Sequence, residues 1–217
     1  METGNWALHS LHDERDINLS TIARNYILRP LEMLFREPIL VLITIYMSVV
    51  YGILYLFFEA YPISFGEDRQ WNLEVVTLPF LSLGIGIVLG GLVIVYHNRT
   101  RFARILENKG TVPPEERLVP MMLGAIMLPL GLFWFAWTSN QHISWVPQVI
   151  SGLPIGIGLI TIFLQGLNYI IDVYTKNANS AISANVFVRS WFGAGFPLFA
   201  TAMYHNLGMA RHLHLHR

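Results

Sequence analysis

The chain contains no cysteine, which excludes a disulfide framework, a thiolate nucleophile and a cysteine-based zinc site. Charge is scarce as well. Asp, Glu, Lys and Arg make up 13% of the residues, against about 25% in an ordinary soluble domain. Fourteen basic side chains balance fourteen acidic ones, so there is no electrostatic footprint for nucleic acid. No phosphate-cradling Gly-rich motif, no HExxH and no Ser/His/Asp arrangement is present. ATP-driven transport by this chain and the common hydrolase chemistries therefore lack their motifs, and neither a cofactor nor an enzymatic reaction is implied. Residues 1–37 hold no apolar h-region, so no cleavable signal peptide is expected.

What the sequence has instead is long apolar runs. Hydrophobic residues reach 53%. They fall in five stretches, 38–60, 75–96, 118–138, 145–171 and 178–204, which hold only two charges, Glu59 and Arg189. A soluble amphipathic helix keeps a charged face; these stretches do not. Each meets the roughly 20 residues needed to cross a hydrocarbon layer about 30 Å thick. The expected fold class is an all-α integral membrane protein with five transmembrane helices, its partner the lipid bilayer. The expected organisation is an N-terminal arm over 1–37, a membrane domain over 38–206 and a disordered tail over 207–217. Within the arm, apolar residues at helical spacing from Leu19 to Phe35 suggest a short amphipathic helix on the membrane surface.

Basic residues set the orientation. With the N-terminus cytoplasmic, one side holds Arg15, Arg24, Arg29, Arg36, Arg99, Arg101, Arg104, Lys109, Arg117 and Lys176. The other side holds only Arg69, Arg211 and Arg217. Interfacial Tyr61, Trp71, Trp134, Trp137 and Trp145 agree with that assignment. The Asn98-Arg99-Thr100 sequon then faces the cytoplasm and is expected to stay unmodified. His212, His214 and His216 are expected to have no metal role. Gly86 with Gly90, and Gly152 with Gly156, have the spacing that lets membrane helices approach closely.

Polar residues at membrane depth are the candidate site. Gln165, Asn168 and, just beyond the fourth stretch, Asp172 share one helix face, and Asn185 and Arg189 share one face of the fifth. An arginine at mid-membrane is costly and must face protein or water, so Arg189 is expected at a seam near Gln165 and Asn168. Two readings stay open: a substrate or proton pathway, or a buried structural network. Glu59, between Phe58 and Ala60-Tyr61, is either solvated at the outer interface or a desolvated proton carrier or cation contact.

Five blocks in order add a resemblance. Arg29-Pro30-Leu31-Glu32 with Glu37-Pro38, then Tyr51–Pro62 ending Phe58-Glu59-Ala60-Tyr61-Pro62, then Pro114-Glu115-Glu116-Arg117-Leu118 come first. Asn168-Tyr169-Ile170-Ile171-Asp172 and Ala184-Asn185…Arg189-Ser190…Gly195-Phe196-Pro197 follow. Together they resemble the C-terminal half of fungal major facilitator superfamily transporters, in the drug:proton antiporter group. The resemblance implies spans seven to eleven of twelve, and proton-coupled efflux of drugs, polyamines or other hydrophobic or cationic molecules from the plasma membrane. It also implies a degenerate Gly-and-basic loop motif at Gly90, Gly91, Asn98, Arg99 and Arg101. The face bearing Gln165, Asn168 and Asp172, the face bearing Asn185 and Arg189, and Glu59 become cavity or gate residues. Substrate and protons belong to a full-length relative. The six-span N-terminal half and the twelfth span of that pattern are missing, so the chain is expected to be an incomplete, inactive fragment. A small polytopic scaffold or assembly protein is the alternative.

Overall fold

The computed structural model describes residues 28–72, 74–140 and 142–207, and among these every regular element is helical. Helix α1 (Arg29–Arg36) carries Pro30 in its first turn and closes an i,i+4 pair between Glu32 and Arg36 at 2.7 Å. Helix α2 (Pro38–Tyr61) starts on a proline, where a missing N–H costs nothing. A wider helical turn over Pro62–Asp68 prolongs it. Helix α3 (Phe80–His97) runs on through Asn98–Phe102 into α4 (Ala103–Lys109). Gly110 then stops it with a left-handed φ of 71°, a conformation glycine adopts freely. A single turn over Pro114–Arg117 leads into α5 (Leu118–Thr138). Next come α6 (Trp145–Ile150), α7 (Gly152–Tyr174), a tight turn over Thr175–Asn177 and α8 (Ala178–Leu207).

Three boundaries differ from the expected stretches. Residues 75–79 are turns, closed by bonds such as Phe80 N–H to Thr77 O at 3.1 Å; α3 begins only past Pro79. The stretch expected as one helix from 145 is split at Ser151. Pro154 has no N–H to give Ile150, so the ladder cannot run through. The expected loop around Asn98–Arg101 is helical, and the true turn lies after Lys109. No proline or glycine interrupts 98–109. The part of the expected surface helix before residue 28 and the tail beyond 207 lie outside the described residues.

Four helical stretches are long and apolar enough to cross a membrane. The last, Trp145–Leu198, has 54 residues, more than twice a bilayer's need. Inter-helix contacts show that it crosses twice. Thr44 meets Asn185 and Gly52 meets Phe196, so α2 and α8 run parallel. Gly86 meets Leu153 and Gly90 meets Ile157, so α3 and α7 run parallel. Gly131 meets Ile155 and Gly124 meets Gly158 and Thr161, so α5 and α7 run antiparallel. Met47 on Gly166 and Tyr51 on Phe163 set α2 against α7 in opposite directions. Helices α2, α5 and α8 therefore run one way, α3 and α7 the other, which gives five crossings with α7 in the middle.

The helices approach at backbone distance. A methyl group on Gly90 would lie 3.0 Å from Ile157 Cα, and one on Gly158 would lie 2.8 Å from Leu128 N. Lipid tails offer no hydrophobic drive for helix association, so close van der Waals contact of this kind carries the packing. The buried core runs through Val50, Phe57, Leu83, Leu128, Phe135, Ile155, Leu159 and Ile162. Outward faces are apolar too. Leu81, Ile85, Val88 and Leu92 form an exposed stripe on α3, and Met122, Ile126, Leu130 and Phe133 one on α5. Stripes of that length are unsuited to water and suited to acyl chains.

Candidate functional site

Arg189 stands at the junction of three helices. Its Cζ lies 5.3 Å from the centre of the Tyr51 ring on α2 and 5.8 Å from that of Phe163 on α7. Arg189 is eleven residues into α8 and Phe163 eleven from the end of α7. At about 1.5 Å per residue that places both near mid-bilayer. The rings attract the guanidinium electrostatically. Tyr51 and Tyr55 pack edge to face at 5.0 Å and share a hydrogen bond between their hydroxyls at 3.2 Å. Both rings fit because Gly193 opposite has no side chain: a methyl there would lie 2.8 Å from Tyr51 Cε1. One turn before Arg189, the buried Asn185 donates from Nδ2 to Thr44 Oγ1 at 3.3 Å.

The expected seam joining Arg189 to Gln165 and Asn168 is not formed. Gln165 is fully buried, and neither its amide nitrogen nor its oxygen has a hydrogen-bond partner among the described residues. Depth was matched; direction was not. Gln165 follows Thr161 and Ile162 on the α7 face that meets Gly124 of α5, whereas Arg189 looks toward α2. Asn168 is half-buried.

A second cluster lies at the arginine-rich end. Arg117 Nε donates to Asp172 Oδ2 at 2.9 Å, and its Nη1 reaches Asn98 Oδ1 at 3.5 Å. The Arg117 guanidinium lies 4.3 Å from the centre of the Phe102 ring. Beside it, Arg101 pairs with Glu116 at 2.8 Å. Asp172, Asn98 and Arg101 are thus brought together, while Arg99 is exposed. Gly90 is a packing residue against α7, and Gly91 has open space around it. Arg117 and Glu116 complete this cluster; by sequence they stood in a block of the family resemblance, and Arg117 also among the orientation residues, but neither as a site residue. Their signal was an acid-base run placed just before an apolar stretch.

The opposite end is closed by Arg69. Its Nε donates to Gln148 Oε1 at 3.1 Å, and its two terminal nitrogens donate to the carbonyls of Ile143, Thr138 and Asn140. Gln148, fully buried, passes the link to Ser64 Oγ at 2.6 Å. A cation at the last carbonyls of α5 is also favoured by the helix dipole. Its sequence signal was its isolation, the one basic residue between the first two apolar runs. Glu59 is exposed near this end. Among the described residues no group of three or more His, Cys, Asp or Glu is placed to hold a metal; the histidines of the tail lie outside them.

Comparison with known proteins follows the same lines. The sequence model described as Major Facilitator Superfamily matches residues 6–197. "Citrinin biosynthesis cluster MFS transporter mrr1" of Monascus ruber is 56% identical over 209 residues, which cover 96% of this chain and 42% of that relative. "MFS-type transporter acdC" of Aspergillus candidus is 53% identical over 208 residues, covering 95% of this chain and 41% of that relative. "Ascochitine biosynthesis cluster MFS transporter" of Didymella fabae is 50% identical over 209 residues, covering 96% and 40% respectively. The chain thus spans about two fifths of the length of the curated relatives it matches. No solved structure matches.

Proposed function

Since this chain belongs to the major facilitator superfamily, we propose that it forms the C-terminal part of a proton-coupled exporter of small hydrophobic molecules in the plasma membrane. Its arginine-rich end faces the cytoplasm. In such a transporter one bundle rocks against another around a site near the bilayer midplane. The observation that carries the reading is Arg189, a fixed charge at that depth, held on the Tyr51 and Phe163 rings. Intramembrane ionisable residues mark substrate and ion pathways by default. The Arg117–Asp172 pair and its neighbours join α5 to α7 at the cytoplasmic end, where a gate has to open. Relatives named for biosynthesis clusters support a product of small-molecule biosynthesis as cargo. Cationic drugs and polyamines remain in the substrate range that the motif resemblance implies.

The test grafts this chain into the Monascus ruber relative in place of its matching segment, in vesicles with an imposed pH gradient. Expected is saturable efflux that collapses with a protonophore. Arg189→Ala should abolish it with membrane insertion unchanged. Efflux indifferent to the pH gradient would overturn proton coupling. Loss of insertion with Arg189→Ala would make Arg189 a structural residue instead.

A further inference from the structure

We infer that Arg189 and the aromatic shelf around it form an anion site, which takes the ionised carboxylate of an aromatic organic acid as cargo. The inference rests on the transport reading and names its substrate class.

A guanidinium keeps its charge at any physiological pH and carries five N–H donors. Half-buried among these helices and at membrane depth, it needs compensation. The rings of Tyr51 and Phe163 attract the charge, but a ring face offers these donors no oxygen. Among the described residues, Arg189 forms no ion pair and no hydrogen bond to an oxygen. Other carboxylates are committed elsewhere: Asp172 to Arg117, Glu116 to Arg101, Glu32 to Arg36. Glu59 lies eight residues beyond Tyr51 on α2, about 12 Å along the helix axis. The cation is therefore attracted but unneutralised, with its donors unspent.

The surroundings fit the rest of such a ligand. Tyr51 and Tyr55 hydroxyls have two protons between them, and their mutual bond uses one. The other O–H is left to donate to a second oxygen. The rings continue from Phe163 through Tyr51 and Tyr55 to Phe58, with centroids 5.8, 5.0 and 6.1 Å apart. Successive rings are turned by 75°, 68° and 78°, so the series offers a flat aromatic body both faces and edges to pack on. A carboxylate accepts two parallel N–H bonds from a guanidinium, the strongest pairing available to it. A cation brought to the same place meets like charge, with no carboxylate at this depth among the described residues. The arrangement thus favours acids over the cationic drugs and polyamines of the wider resemblance.

The experiment measures equilibrium binding to the 217-residue chain in lipid nanodiscs, with empty discs as the partition control. Three probes share one ring system: 2-naphthoate, 2-naphthalenemethanol and 2-naphthylmethylammonium. Expected is saturable uptake of naphthoate, with the alcohol and the ammonium weaker by about tenfold or more. Arg189→Gln should remove that preference, and Arg189→Lys should keep part of it. Tyr51→Phe should weaken naphthoate alone, by a few-fold. If Arg189→Gln does not fold, the ranking of the probes on the unaltered chain and on Tyr51→Phe decides. Ammonium binding as tight as naphthoate, naphthoate binding unchanged by Arg189→Gln, or no uptake above empty discs would each overturn the anion site. None of these readouts uses a gradient or flux, so a failed transport reading shows only in the vesicle assay.

Discussion

Arg117 Nε stands 2.9 Å from Asp172 Oδ2 and so ties the start of α5 to the end of α7, across 55 residues of sequence. The two side chains are 18% and 34% exposed, too sheltered for a surface pair and too wet for a core one. Asn98 and the Phe102 ring hold the same guanidinium from the α3 side. One arginine therefore fastens three elements at the arginine-rich end.

Asp172→Asn should destabilise the chain by about 1–2 kcal/mol, between exposed and buried pairs. A thermal melt followed by tryptophan fluorescence reads this directly. Exchanging the two residues, Arg117→Asp with Asp172→Arg, should restore part of the loss. No recovery in the exchange would assign the cost to packing rather than to charge.

Gln165→Leu should raise stability. The amide is buried without a partner among the described residues, a state that costs about 1–3 kcal/mol. A lower melting midpoint in the variant would mean that the amide has a hydrogen-bonding partner in the membrane.

Gly90→Val and Gly91→Val form a matched pair. Gly90 lies against the α7 backbone, whereas Gly91 has nothing within 4 Å of where a side chain would start. The first substitution should force α3 from α7 and reduce the monodisperse fraction in detergent; the second should leave it unchanged. Equal behaviour of the two would remove the close approach as the cause.

Arg69→Ala should free the far end. Amide hydrogen exchange across 138–148 should speed up, since four acceptors there lose their donor. Arg69→Lys should not rescue it, because an ammonium lacks the planar fork that spans separate acceptors.

The absence of native cysteine makes orientation easy to check. A single cysteine at His142, exposed beyond α5, should react with an impermeant maleimide in intact cells. One at Gly110 should react only after permeabilisation. The reverse pattern would invert the proposed topology.

The crossings were legible because they need only one-dimensional information. Apolar runs, prolines at helix starts and the scarcity of charge place α2, α5 and α8 within a few residues. Finer breaks were hidden: Ser151 interrupts an unbroken apolar run, and helix continues past His97 where basic residues suggested a loop. Pairings were the least visible. Arg69 and Gln148 are 79 residues apart, and nothing local marks either as a partner. The error over Gln165 and Arg189 is instructive in the same way. Counting from the turn placed both at one depth, correctly. Which neighbour each helix face meets depends on how the bundle closes, and that is set by the glycine contacts of α7 with α3 and α5.

Those glycine contacts have a mechanical side. Backbone against backbone leaves no rotamer to adjust and no soft side chain to compress. Helices α3, α5 and α7 are thereby packed as one stiff strut. Helix α8 is seated differently, through Phe196 on Gly52, Tyr51 on Gly193 and an arginine resting on rings. Rings can slide and arginines can swing. Helices α2 and α8 pack on each other far more extensively than either packs on α7, so any tilting within this bundle falls between that pair and the strut.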